Sequence, residues 1–214
     1  MFGKKLFRNK KGIVGVEAAI VLIAFLIIAA ALSYVVINMG FYTTQKTKET
    51  MQTGLEESLT ALQLDGVVTA RTNDSSNHIL YILVPVKLSA GRGAVDLSSS
   101  SVVVSVYLPN ATLMNIYQGA NPGTTDVTWD KLNGTLKLEN NQAKFAIYND
   151  DGDTLLESNE KAFLLIRLNA TDTNYMLGEY QTIKIEVRTA KGAALTVVRT
   201  APGGLASKSF VDLG

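Results

Sequence analysis

The 214-residue chain contains no cysteine, one histidine, one tryptophan and four prolines. Without cysteine there is neither a disulfide nor a thiolate metal site, so an exported domain built from this sequence must be stabilised by packing, partners or assembly. His78 stands alone, and neither a Gly-x-Ser-x-Gly elbow nor a Gly-rich loop ending in Gly-Lys-Ser/Thr occurs. Carboxylate pairs such as Asp150 and Asp151 fall in a turn-like stretch, and Trp129 beside Asp130 reads as packing rather than as a sugar platform. No catalytic or nucleotide site is expected, and with them no enzyme. Basic residues are concentrated at one end: Lys4, Lys5, Arg8, Lys10 and Lys11 precede residue 13, while the whole chain carries only +1. The remainder is mildly acidic, and with no basic patch downstream there is no support for a nucleic-acid partner.

What the chain does have is an apolar run. Ile13 to Met39 carries a single charge, Glu17. As a helix at about 1.5 Å per residue the run is about 40 Å long, more than the roughly 30 Å of a bilayer core. Such a segment must be buried on all sides, in lipid or among copies of itself. Three readings of this head compete. A secretory signal has a shorter core with a small-residue cleavage site beyond it, whereas Met39 is followed by Gly40-Phe41-Tyr42-Thr43-Thr44-Gln45-Lys46. A plain transmembrane anchor fits the length, with the positive flank in the cytoplasm. Yet a carboxylate costs about 2.5–3.5 kcal/mol near a bilayer centre, less towards the interface, where Glu17 falls. The third reading is cleavage before the apolar core, directly after Gly12, with the helix retained.

Beyond Met39 the pattern turns amphipathic. Met51, Leu55, Leu59 and Leu62 form a helical stripe with Lys46, Lys48, Glu49, Glu56 and Glu57 off it. One helix is expected from Ile13 to about Leu64, with Gly40 and Gly54 as weak points costing about 1 kcal/mol each against Ala. From Val67 the character changes to strands: Ile79–Val84, Ser101–Leu108, Gly134–Glu139, Ala143–Tyr148, Ala162–Arg167, Thr182–Arg188 and Ala194–Arg199. The turns expected between them include Gly91-Arg92-Gly93, Asn121-Pro122-Gly123, Asn133-Gly134, Asn149 to Asp153 and Ala190-Lys191-Gly192. Short strands with no helix between them predict an antiparallel sandwich or barrel, and Pro85 predicts an edge or a bulge. The fold class expected is α+β: a long N-terminal hydrophobic α-helix, then an all-β antiparallel, Ig-like sandwich or barrel. The expected divisions are a basic leader over 1–12, the helix over 13–64 and the β-domain over 65–214.

Lys10-Lys11-Gly12, the junction before Ile13, and Glu17 at the fifth position after it resemble the class III signal of type IV pilins and archaeal flagellins. Asn38 to Lys46, Tyr148 to Asp153 with Leu155-Leu156 and Glu160 to Phe163, and Lys191 to Pro202 resemble later parts of the archaeal flagellins. The pilin-like Glu17 departs from many archaeal flagellins and keeps archaeal pili and adhesion filaments in view. The resemblance implies removal of the leader after Gly12 by a membrane peptidase and handling by a membrane assembly platform. It also implies polymerisation through the retained helix into an extracellular filament of identical subunits, with the membrane holding the precursor. Cleavage would leave an α-amino group on Ile13, ordinarily titrating at about 7.7–8.0, able to pair with Glu17 of its own or a neighbouring chain. The different-class alternative is a monomeric, membrane-anchored surface domain that binds a ligand.

Two motif sets remain. Asn73-Asp74-Ser75, Asn110-Ala111-Thr112, Asn133-Gly134-Thr135 and Asn169-Ala170-Thr171 are N-glycosylation sequons in polar or turn-like stretches. Asn149, Asp151, Asp153 and Glu160 have the 1-3-5-12 spacing of an EF-hand loop, but Thr154 occupies the position that needs glycine. A solvated turn is the stronger reading; a metal held by Asp151, Asp153 and Glu160 would be a hard cation such as calcium on oxygen ligands. No other cofactor is expected beyond N-linked glycans.

Overall fold

A computed structural model describes residues 11–214 except positions 60 and 92, and the chain falls into two compact units, residues 1–53 and 54–214. The leader, residues 1–10, lies outside the described residues. Helix α1 spans Lys11–Ser58. It ends six residues short of the expected Leu64 because Leu62–Leu64 forms a strand, β1. β1 pairs antiparallel with β3 (Ile79–Leu88), Leu62 opposite Leu88, and buries Ala61 and Leu62. Leu62 therefore belongs to the β-domain, not to the helical stripe, and Met51, Leu55 and Leu59 stay exposed.

The second unit is a sandwich. One sheet has seven strands, in the order β13 (Phe210–Asp212), β2 (Thr69–Thr72), β3, β10 (Lys161–Arg167), β8 (Gln142–Tyr148), β7 (Tyr117–Thr124), with β1 also on β3. The other sheet has four: β12 (Leu195–Thr200), β11 (Thr182–Thr189), β5 (Val102–Tyr107), β6 (Thr112–Leu113). A ribbon of β4 (Val95–Asp96) and β9 (Leu155–Leu156) completes it. Among the described residues no strand is shared between the two main sheets, so the domain is a sandwich and not a closed barrel.

Alternation explains the packing. Ile82, Phe145, Ile147, Leu164 and Ile166 point inward against Val104, Val106, Ile183, Ile185 and Val187 of the four-stranded sheet. Their neighbours Tyr81, Ala146 and Leu165 point outward and are buried as well, beneath Leu132, Leu136 and Leu138. With both faces covered, β3, β8 and β10 read as nearly continuous apolar runs.

The outer cover corrects the all-antiparallel expectation. Trp129–Leu136 is a helix, α2, not the turn and strand predicted around Asn133 and Gly134. β7 and β8 pair in parallel, with breaks in register, through a stretch containing Asn121, Pro122 and Gly123 that was expected to turn. A parallel pair cannot be joined by a tight hairpin and needs a crossover, which α2 supplies. Trp129, Leu132 and Leu136 fall on one face of α2, and the last two are fully buried. Pro85 is also not at an edge. It faces Phe163 within the pairing of β3 and β10, and its carbonyl accepts from the amide of Asp65 at 3.0 Å. Its missing N–H therefore faces the gap between β2, whose pairing ends at Leu83, and β1, whose pairing begins at Val86.

The segment leaving α1 is fastened twice. Ala193 donates its amide to Leu59, and Asp65 lies between Lys161 (2.7 Å) and Lys87 (2.9 Å). The hydrogen bond from Lys161, then that from Lys87, holds the Asp65 carboxyl below its ordinary value against the opposing effect of burial. A depressed carboxylate stabilises the fold above its unfolded pKa, and that contribution is lost as pH falls through the lower folded value. Asp65→Asn should cost on the order of 1 kcal/mol at neutral pH, since the half-exposed lysines are screened. The difference in melting temperature from the parent chain should shrink as pH falls below the ordinary carboxylate range and the lowered Asp65 carboxyl takes up its proton. Thermal melts of the detergent-dispersed full chain over a descending pH series measure it.

Candidate functional site

The feature that demands a partner is the surface of α1. Seventeen large apolar side chains between Val16 and Tyr42 are exposed, Phe25 by 74% and Met39 by 68%. Moving each out of water is worth about 2 kcal/mol, on the order of 30 kcal/mol in all, against the 5–15 kcal/mol that typically stabilises a whole domain. The helix is long and apolar enough to cross a membrane. The junction between Gly12 and Ile13 falls in its first turn. Glu17 is exposed and shares a face with Val21 and Phe25, at i, i+4 and i+8.

The serines and threonines of α1 are prepared for burial too. Ser33, Thr43, Thr44, Thr47, Thr50, Thr53 and Ser58 each donate a hydroxyl to the carbonyl four residues earlier, at 2.8–3.0 Å. A hydroxyl satisfied within its own helix avoids most of the penalty for leaving water. These seven serines and threonines can enter an apolar bundle with their hydroxyl donors already satisfied, a property that the bare sequence did not announce.

The four sequons fall in unlike settings. Asn110 is exposed, in the short connection between β5 and β6 where Leu108 donates to Ala111 at 2.8 Å; Thr112 is exposed as well. Asn73 is half-buried and pinned by backbone bonds to His78 and Lys208. Asn169 is half-buried, its Oδ1 accepting from the amide of Thr171 and from Asn140. Asn133 contradicts the turn-like expectation: it lies within α2, half-buried, and its carbonyl accepts from Lys137.

The EF-hand spacing does not produce an EF-hand loop. Asp150, Asp151 and Asp153 come together, their oxygens within 4.8 Å of one another, but Glu160 is absent from that group. Glu160 is buried, and its Oε2 accepts from the amide of Glu157. The ends of the stretch do come together, because the pairing of β8 with β10 sets Tyr148 opposite Lys161 and Asn149 donates its side-chain amide to the Asn159 carbonyl at 3.2 Å. The Glu160 carboxylate, however, is engaged by the Glu157 amide rather than joined to the three aspartates. Burial, reinforced by Asp150, Glu157 and Asp151, raises the Glu160 carboxyl, partly countered by the Glu157 amide. Asp150, missing from the predicted set, accepts from the amide of Gly123 at 2.8 Å.

Sequence reasoning also missed the cluster around Trp129. Its ring meets Tyr81 edge-on at 5.0 Å and Phe210 at 5.7 Å, with the Arg71 guanidinium 5.2 Å from its centroid. This is packing, as expected for Trp129, and it clips the start of α2 to β2 and β13.

A single helix apolar all round, followed by a separate β-sandwich, defines a subunit whose helix is made to be buried in lipid or among other helices. The signature of the archaeal-type flagellins matches residues 12–199, and the chain belongs to that family. It is 44% identical over 209 residues to probable flagellin 1 of Aeropyrum pernix, covering 97% of this chain and all of the relative. It is 34% identical to probable flagellin 2 of Archaeoglobus fulgidus, covering 97% and 98% of the two chains. In fold it is similar to a chain of the archaeal flagellum of Methanospirillum hungatei, with a TM-score of 0.53 at 24% identity over 89% of this chain and 94% of that one. It is also similar to archaeal flagellin FlaB1 of Methanocaldococcus jannaschii, with a TM-score of 0.59 at 16% identity over 71% and 95%.

Proposed function

We propose that this chain is the structural subunit of an extracellular archaeal filament, the archaellum used for swimming, and that it polymerises through α1 after its leader is removed. The observation that carries the reading is the unburied apolar surface of α1 on a chain of the archaeal-type flagellin family. The precursor holds its helix in lipid, with Lys4 to Lys11 on the cytoplasmic side. A membrane peptidase cuts after Gly12, and the subunit passes through a membrane assembly platform into a bundle of identical helices. Lipid and bundle both satisfy the backbone internally and keep the apolar surface dry, so the transfer crosses no large barrier in burial. The contacts are head-to-tail and non-closing, which yields a helical polymer. The new amine on Ile13 is stabilised by Glu17 of its own or a neighbouring chain, offsetting the desolvation of both charges. Of the sequons, Asn110 is the one whose exposure supports an N-linked glycan.

Filaments sheared from native cells, examined by electron microscopy and peptide mass fingerprinting, should consist of this chain. Its recovery only from detergent-extracted membranes would contradict the proposal. Glu17→Ala should give cleaved subunits that stay in the membrane fraction, with sheared filament reduced on the order of tenfold, as expected when a buried amine loses its counter-charge. Immunoblots of the two fractions read this directly.

A further inference from the structure

The outer faces of the two sheets are treated differently. α2 covers that of the seven-stranded sheet. On the four-stranded sheet Lys184, Glu186 and Arg188 alternate with the inward Ile183, Ile185 and Val187, and the outward row is left open, with Val103 41% and Val198 50% exposed. Open as the face is, Glu186 is 8% exposed. Arg188 donates from Nε at 2.7 Å, with Nη2 at 2.6 Å, and Lys184 lies 3.7 Å away. Tyr107 donates its hydroxyl at 3.5 Å, and its ring lies 5.1 Å from the Lys184 ammonium. One carboxylate thus orders two cations and a tyrosine before any partner arrives. Ordering these long side chains in advance removes a cost that docking would otherwise carry. The row has a net positive charge, with exposed valines to either side: β11 register places Val198 beside Lys184 and Val103 beside Arg188.

We propose that this face is a docking surface between outer domains in the filament, and that its occupant is the acidic turn between β8 and β9 of a second copy. The inference rests on the filament reading given above. In a head-to-tail polymer the contacting patches are different parts of one chain, so a cationic patch calls for an acidic one elsewhere on the same molecule. The turn holding Asp150, Asp151 and Asp153 supplies it: three carboxylates within 4.8 Å, the last two exposed. It leaves the end of β8, in the other sheet. Each molecule can therefore offer its turn to one neighbour while its sheet face receives another's. Complementary charge also sets the register of docking.

The test reverses charge without orphaning the buried group. Lys184→Glu, Glu186→Lys and Arg188→Glu together keep the alternating pairs and invert the sign of the face. Full-length chains carrying this triple change, Asp151→Lys with Asp153→Lys, or all five changes are expressed in a host deleted for the parent gene. The fraction of sheared filament that pellets is followed over a sodium chloride series, with thermal melts of dispersed subunits as the folding control. Each set alone should raise the unpelleted fraction on the order of tenfold at low salt, as like charges meet, and the five-fold change should restore it. Unaltered pelleting in both partial variants, with melts unchanged, overturns the surface. Failure of the combined variant to recover overturns the acidic turn as its occupant and points to another acidic partner. Absence of filament from the parent chain itself would refute the filament reading instead.

Discussion

Leu26→Lys is expected to leave cells without filaments while the protein persists, leader-free, in the membrane. Leu26 lies at the middle of the run from Ile13 to Met39 and is exposed over 67% of its surface. In lipid an ammonium at that depth costs about 2.5–3.5 kcal/mol on insertion scales, which a run of this hydrophobicity absorbs, partly by reaching towards the interface. A packed bundle offers no such escape. Every subunit brings the same charge to the same depth, desolvated and beside its own kind, so the penalty recurs at each step of growth. Fractionation and immunoblotting should find sheared filament reduced at least a hundredfold on that argument and the membrane pool undiminished. Leu26→Met, which keeps volume and hydrophobicity, should assemble normally. Filaments of the lysine variant in ordinary yield would mean that α1 is not buried in the polymer at this position.

The second large effect concerns the outer domain. Phe145 is fully buried in the main core and meets Tyr117 edge-on with ring centroids 5.6 Å apart. Tyr117 in turn donates its hydroxyl to the carbonyl of Leu97, anchoring the chain that follows β4. Phe145→Ala removes the largest side chain of the buried set from β8, between β7 and β10. The expected cost is about 3–5 kcal/mol, a large part of what a domain this size possesses. A fall of roughly 10 °C in the melting temperature of the dispersed subunit should follow. Val103→Ala, on the open face of the four-stranded sheet, should change stability by less than about 0.5 kcal/mol. Equal effects from the two would mean that the sandwich interior is not placed as described.

The legible parts of this molecule are those in which one physical requirement dominates. An apolar run with one carboxylate has no soluble solution as a single helix, so α1 could be read directly, and with it the kind of protein. The strands β3, β5, β8, β10, β11 and β12 were legible because β-branched residues recur in short runs between turn residues. Short pairings were not: β1, β4, β6 and β9 are two or three residues long and exist because neighbouring strands present partners for them. α2 was misread for a specific reason. Asn133 and Gly134 are strong turn residues locally, but the parallel pairing of β7 with β8 requires a crossover, and tertiary context prevails over local preference. The spacing of Trp129, Leu132 and Leu136 was the available signal. The same limit applies to the acidic turn, where spacing suggested Glu160 and folding delivered Asp150. Glu160 is taken up by the amide of Glu157, and Asp150 is held by that of Gly123, 27 positions earlier on β7; no local pattern encodes that second contact.

The mature N-terminus of the chain in sheared native filaments, read by mass spectrometry, tests the central claim most directly. The account predicts a peptide beginning at Ile13, with Glu17 five residues into a polymerised chain. A peptide beginning at Met1 would contradict it and favour an uncleaved, membrane-anchored surface domain.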